Sequence, residues 1–283
     1  MRGVVMHALG DVRVQHLDDP QIIEPTDAII RVTATCVCGS DLWPYRGIEK
    51  VHDQPMGHEY VGGIPYADGT LVATPGMPDA DLIPSLLAAS DVLGTGWFGA
   101  VAAESGPGKT VAVVGDGAVG LLAVLAAKQL GAERIIAMSR HETRQKLATE
   151  FGATDIVTER GDEGVAKIKE LTGGLGAHSV VEAVGTQESM QQAIGSARPG
   201  GHVGFVGVNH DVSLSGEDLF FSQVRLLGGP APVHRFLPEL IDLIWQRKIN
   251  PGKVFDLTLP LEQAAEGYKA MDERRAIKAL LRP

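Results

Sequence analysis

The stretch from Thr110 to Arg144, TVAVVGDGAVGLLAVLAAKQLGAERIIAMSRHETR, constrains the fold more than any other part of this chain. Thr110 to Val114 are β-branched or small with no polar residue after the first, as in a strand buried on both faces of a parallel sheet. Gly115, Gly117 and Gly120 then make G-x-G-x-x-G. Ala118 to Leu130 are nearly all strong helix formers, stopped by Gly131, and a second strand is expected at Arg134 to Met138. Strand, glycine turn, helix and strand within about thirty residues form the βαβ unit that holds a dinucleotide. The pyrophosphate of such a ligand faces the free N–H groups and positive dipole end of the helix.

The end of the second strand addresses which dinucleotide. An NAD site wants Asp or Glu about 20 residues past the glycines, where a carboxylate accepts from the ribose hydroxyls. Ser139 holds that place, followed by Arg140 and His141, with Arg144 one turn into the next helix. Neutral and cationic groups suit a 2′-phosphate, so the residues predict NADP(H). The plainer alternative makes Arg140 and Arg144 solvated residues of a helix start.

With 283 residues the chain is long enough for two domains. Its formal charge of −10 argues against nucleic acid or an anionic membrane as a partner and favours a small molecule. No apolar run is long enough to cross a bilayer, and a cytoplasmic location is expected. Cys36 and Cys38 are the only cysteines. Two residues apart on one strand they are poorly placed for a disulfide, so a ligand role for one of them fits better.

Residues 1 to 60 read as β, with VVMHA, VRVQHL and AIIRVTATCV broken by Gly10-Asp11 and by Pro25-Thr26-Asp27. From Pro84 a helix PSLLAASDVL is expected, with Gly94-Thr95-Gly96 leading into another, WFGAVAAE. Six strands alternating with helices then predict an α/β fold, a Rossmann doubly wound parallel sheet over 92–228. A second domain of 1–91 and 229–283 is expected to be a smaller β unit completed by the C-terminal elements.

Three short pieces outside the glycine motif carry candidate metal ligands: Cys38 in Cys-Gly-Ser-Asp, His58-Glu59 after Gly57, and Asp91. Each alone is weak, since a lone His or Cys is more often structural. Together they supply a thiolate, an imidazole and a carboxylate, leaving the fourth position of a tetrahedral zinc open, as in a catalytic site.

The pieces Cys38-Gly39-Ser40-Asp41, Gly57-His58-Glu59, Asp91 with Thr95-Gly96, the glycines at 115–120, Gly152-Ala153-Thr154-Asp155 and Arg198-Pro199-Gly200-Gly201 run over most of the chain. In this order they resemble the medium-chain zinc-dependent alcohol dehydrogenases. The resemblance implies one catalytic Zn2+ on Cys38, His58 and Asp91, with Glu59 a nearby carboxylate able to substitute as a ligand. It implies that Ser40 relays the proton, Asp41 orients His58 and Thr95 contacts the nicotinamide. Also implied are an alcohol or carbonyl substrate, a GroES-like β domain, and assembly as a homodimer or homotetramer. Trp43 stands where the family often has a histidine to pass the proton on. Trp43, Tyr45 and Trp97 read equally as apolar walls of a substrate site or as core. The chain also passes from Glu59 to Tyr66 across Gly62-Gly63 where the family carries several tens of residues, including a four-cysteine structural-zinc lobe. The expectation is an internal deletion joined there, leaving a truncated β domain. Two rival readings remain: a zinc-free enone or quinone reductase of the same superfamily, and a catalytically silent protein that binds NADP.

Overall fold

Gly10, with φ of +70°, reverses the chain between β1 (Arg2–Ala8) and β2 (Asp11–His16), which pair antiparallel in the register Val4↔Val14 and Met6↔Val12. That register puts Val4, Met6, Val12 and Val14 on one face, where Met6 and Val12 are buried. In chain order there follow β3 (Ala34–Cys36), α1 (Leu42–Tyr45), β4 (Gln54–Pro55), β5 (Tyr60–Val61) and α2 (Ile83–Ala89). β4 adds to the free edge of β1. The computed structural model describes residues 1–25, 27, 29, 31–61 and 72–283; the Gly62–Gly63 junction lies outside the described residues, as do Thr26, Ala28 and Ile30.

Val92–Phe236 form a compact unit of their own. It contains α3 (Val92–Ala102), β6 (Thr110–Val114), α4 (Ala118–Gln129), β7 (Arg134–Met138), α5 (Glu142–Phe151), β8 (Asp155–Val157) and α6 (Gly161–Leu171). These are followed by β9 (Ala177–Glu182), α7 (Gln187–Ser196), β10 (Ala197–Phe205), α8 (Gly216–Ser222) and β11 (Arg225–Gly228). The strands make one parallel sheet of six in the order β11-β10-β9-β6-β7-β8. β6 lies at its centre with Val111 to Val114 buried, which is why that run carries no polar side chain. Gly115 has φ of +117°, and a Cβ on Gly120 would come within 2.1 Å of the Gly115 carbonyl oxygen. The tight turn and the close approach of helix to strand therefore both require glycine. At the sheet edge Arg134 clamps Asp155 with two bonds, Nε to Oδ2 at 2.8 Å and Nη2 to Oδ1 at 2.6 Å, tying β7 to β8.

One local expectation is corrected. The helix break expected at Gly94-Thr95-Gly96 falls instead at Ser90-Asp91, and those glycines lie inside α3. Their reason is packing: a Cβ on Gly96 would stand 2.7 Å from the Ala123 nitrogen of α4. Arg198-Pro199-Gly200-Gly201 lies within β10, where the register on β9 shifts between Ala197 and His202 as in a bulge.

The remaining unit joins Met1–Asp91 to Leu237–Pro283. The division thus falls inside α9 (Val233–Trp245), later than the 228/229 boundary expected, because Val233 packs on Gly94 of α3, where a Cβ would meet it at 2.7 Å. The chain ends with β12 (Phe255–Pro260), α10 (Ala264–Asp272) and β13 (Lys278–Arg282). A sheet of order β12-β13-β3-β5 results, parallel at β12/β13 and antiparallel elsewhere. Tyr268 and Met271 of α10 pack with Met6, Val12, Val37 and Leu42, while Leu87 of α2 seals Ala34, Cys36 and Leu280 on the second sheet.

Candidate metal centre and nucleotide site

Cys38 leaves β3 in a tight turn that opens α1. Asp41 accepts from the Cys38 N–H at 2.9 Å through Oδ2, and its own N–H donates to the Cys38 carbonyl at 3.2 Å. His58 and Glu59 lead into β5, held on β3 by the Thr35 hydroxyl donating to the Glu59 carbonyl at 2.6 Å. Asp91 follows α2. Metal-binding atoms of Cys38, His58, Glu59 and Asp91 consequently all lie within 4.8 Å of one another.

The spacing suits one small cation. Asp91 Oδ2 is 3.5 Å from His58 Nε2 and 3.8 Å from Cys38 Sγ. A tetrahedral zinc with ligands at about 2.0–2.3 Å sets its ligand atoms roughly 3.3–3.8 Å apart. The other imidazole nitrogen, Nδ1, faces Asp41 Oδ1 at 3.4 Å, which fixes the ring with Nε2 toward Asp91. The Asp41 and Asp91 carboxylates hold the imidazole far above its ordinary pKa, while burial pushes the Cys38 thiol up. A cluster that draws positive charge onto an imidazole between two carboxylates has the donor set and the charge for a divalent cation. Burial and the Asp41 charge also keep the Tyr268 phenol protonated beside Asp41.

Glu59 is fully buried with both oxygens engaged. Lys278 Nζ donates to Oε1 at 2.7 Å and to the Val37 carbonyl at 3.0 Å, and the Cys36 thiol donates to Oε2 at 3.1 Å. Burial pulls the Lys278 ammonium down, but the Glu59 carboxylate outweighs it and the group stays charged. Burial also drives the Cys36 thiol well up, so Cys36 is a neutral donor. Neither Lys278 nor this use of Cys36 was foreseen from the sequence. The one available signal was a lysine inside the apolar run AIKALL.

Ser40 borders a cavity of about 440 Å³ lined also by Asp41, Trp43, Met56 and His58. Trp43 is thus a wall beside the cluster. Tyr45 packs instead against Tyr268 with ring centroids 5.6 Å apart, and Trp97 is buried in the other unit, so both are core.

In the unit of the six-stranded sheet, Gly117 caps α4 without any side-chain cap, leaving the first N–H groups of the helix for a ligand. Ser139, directly after β7, is fully buried and its hydroxyl donates to Asp116 Oδ2 at 2.7 Å. Arg144 Nη1 donates to the Asp116 carbonyl at 3.2 Å and to Oδ1 at 3.3 Å. Arg144 is 9% exposed, which overturns the alternative of a solvated side chain there, whereas Arg140 is exposed. The structure therefore brings Ser139 and Arg144 together on Asp116, a carboxylate of the glycine loop that sequence reasoning passed over. Thr95 is half-buried on α3.

Residues 118–246 match the zinc-binding dehydrogenase family. A Mycobacterium tuberculosis protein named as a probable zinc-binding alcohol dehydrogenase is 32% identical, the alignment covering 100% of this chain and 89% of the relative. That alignment runs over 348 positions against the 283 residues here, so the relative carries residues where this chain has none. An NADP-dependent isopropanol dehydrogenase of Entamoeba histolytica is 27% identical over 90% of this chain and 87% of its own length. Among solved structures, an alcohol dehydrogenase of Thermus sp. ATN1 superposes with a TM-score of 0.91 at 27% identity, over 100% of both chains. With a six-stranded parallel sheet behind a glycine loop and a Cys-His-Asp cluster in the second unit, this chain belongs to the medium-chain zinc-type alcohol dehydrogenase family, as an oxidoreductase shorter than its relatives.

Proposed function

We propose that this chain transfers a hydride between NADP(H) and a small alcohol or carbonyl compound at a single zinc held by Cys38, His58 and Asp91. The observation that carries the reading is the convergence of those donor atoms with Glu59 within 4.8 Å. When bound there, zinc supplies a Lewis acid that polarises the substrate oxygen and lowers the pKa of an alcohol. The chain's own residues do the rest. Asp41 orients His58, and Lys278 with Cys36 occupies both oxygens of Glu59, holding it beside the three ligands. Ser40, on the cavity wall, relays the substrate's hydroxyl proton by taking it up as it passes its own to water in the cavity, and Trp43 forms the apolar wall on that side. Purified protein with stoichiometric zinc should oxidise NADPH in the presence of small ketones or aldehydes. Zinc-loaded protein that turns over none of them, or zinc-free protein that reduces enones instead, would sink the proposal.

Support for NADP(H) comes from the neutral Ser139 where an NAD site has a carboxylate, from Arg140 and Arg144 next to it, and from the isopropanol dehydrogenase relative. Arg140 is exposed and offers a charge-assisted bond worth roughly 1.5–3 kcal/mol at most, less in solvent. NADPH should accordingly bind more tightly than NADH, and Arg140→Ala should weaken NADPH about tenfold with NADH unchanged. Equal affinities in the unmodified protein, read by fluorescence titration, would refute this.

Assembly as a homodimer or homotetramer belongs to the same reading. β11 is an edge of the six-stranded sheet, and Leu227 on it is 58% exposed, which suits pairing with a second copy. Sedimentation as a monomer at micromolar concentration would count against it.

A further inference from the structure

A carboxylate inside a phosphate-binding glycine loop is an electrostatic oddity. The loop and the helix behind it gather N–H groups for an anion, and Asp116 puts a negative charge between Gly115 and Gly117. Its neighbours explain how the charge is tolerated. Oδ2 accepts from the Ser139 hydroxyl, and Oδ1 and the backbone carbonyl accept from Arg144 Nη1, all within one unit of the protein. Asp116 and Arg144 are both largely withdrawn from water, with side chains 15% and 11% exposed. Screening of this pair by solvent is weak, so it resists exchange more than a surface pair would.

Ser139 and Arg144, with Arg140, are also residues on which a 2′-phosphate would rest. A group already bonded to an internal carboxylate is available to a ligand only in the fraction of molecules where that bond is open, and apparent affinity falls by that fraction. We infer that Asp116 is a specificity-determining residue that competes with the 2′-phosphate of the cofactor for Ser139 and Arg144. The inference rests on the NADP reading of this site. Asp116 lowers the preference for NADPH in two ways, by holding its partners and by placing a like charge beside the phosphate. NADH carries the same pyrophosphate but only a ribose hydroxyl at the 2′ position, so it escapes both effects there.

The test is a titration of the intact protein with NADPH and with NADH, before and after Asp116→Asn. Asparagine keeps the shape, with one carbonyl oxygen for Arg144 and an NH2 that can donate to the Ser139 oxygen, but removes the charge. The NADPH affinity should rise about tenfold, and the ratio of NADPH to NADH affinity at least about fivefold. Adding Arg144→Gln to Asp116→Asn should abolish most of the gain. Asp116→Ser serves as the second variant if the asparagine form proves unstable by thermal melting. An unchanged or lower ratio in both variants would overturn the inference, and so would a gain that persists without Arg144. The NADP reading fails separately: if the unmodified protein prefers NADH, that reading falls. The shift in ratio between the unmodified protein and Asp116→Asn still decides the role of Asp116.

Discussion

Replacing His58 by Ala is expected to release the metal and abolish turnover while leaving NADPH binding within about twofold of its original strength. The imidazole supplies one of three ligands, and its loss leaves Cys38 and Asp91, a thiol pushed up by burial and a carboxylate, as the remaining donors. Losing even an outer hydrogen-bond partner of a metal ligand costs about 10–100-fold in affinity, so losing a ligand should cost at least about a thousandfold. Asp41→Asn, which weakens only the contact to Nδ1, should fall in the smaller range. The nucleotide site lies in the other unit and shares none of these residues, which is why its affinity should hold. Elemental analysis should give one zinc per chain in the unmodified protein. Cys36 is committed to Glu59, so Cys38 is the one thiol left for a metal and a four-cysteine site cannot be built. Two tightly held zinc ions per chain, or full zinc content in His58→Ala, would refute the ligand assignment.

Much of this architecture is legible from single residues because their constraints are local. Gly115, Gly117 and Gly120 specify the strand–turn–helix unit, since the turn and the close packing exclude side chains within a few residues of one another. The same logic misleads at Gly94-Thr95-Gly96. Glycines read as a helix break, but Gly96 is there because α4 passes too close for a Cβ, a fact that depends on residues nearly thirty positions later. In the metal cluster, Cys38, His58 and Asp91 carry side chains whose chemistry narrows their use, and their neighbours Gly39-Ser40-Asp41 and Gly57 add context. Asp116 and Lys278 have no such signature. An aspartate in a loop and a lysine in a terminal strand are ordinary until Ser139 is found 23 positions from one and Glu59 219 positions from the other.

Lys278 should prove the most costly single residue to truncate in its unit. It is 1% exposed, its ammonium is held by Glu59 and the Val37 carbonyl, and Glu59 itself is fully buried. Such a pair, compared with two well-packed apolar residues, stabilises little, because desolvating both charges offsets their attraction. Removing one partner is another matter. Lys278→Met leaves the Glu59 carboxylate buried with only the Cys36 thiol as donor, a loss of about 3–5 kcal/mol. Denaturant unfolding of the unit formed by Met1–Asp91 and Leu237–Pro283 should register it, with Trp43 and Trp245 as probes. Neutralising the stranded acid should restore most of the loss, so Lys278→Met with Glu59→Gln should be more stable than Lys278→Met alone. The pair also has a consequence at the metal. Glu59 Oε1 is turned to Lys278, and freeing it next to Cys38, His58 and Asp91 gives the cluster a fourth donor, a carboxylate, in place of an open position. Lys278→Met that remains folded should therefore hold zinc at least as tightly as the unmodified protein yet turn over substrate more slowly. Unchanged stability together with unchanged turnover in Lys278→Met would show that Glu59 is held off the metal by something other than this lysine.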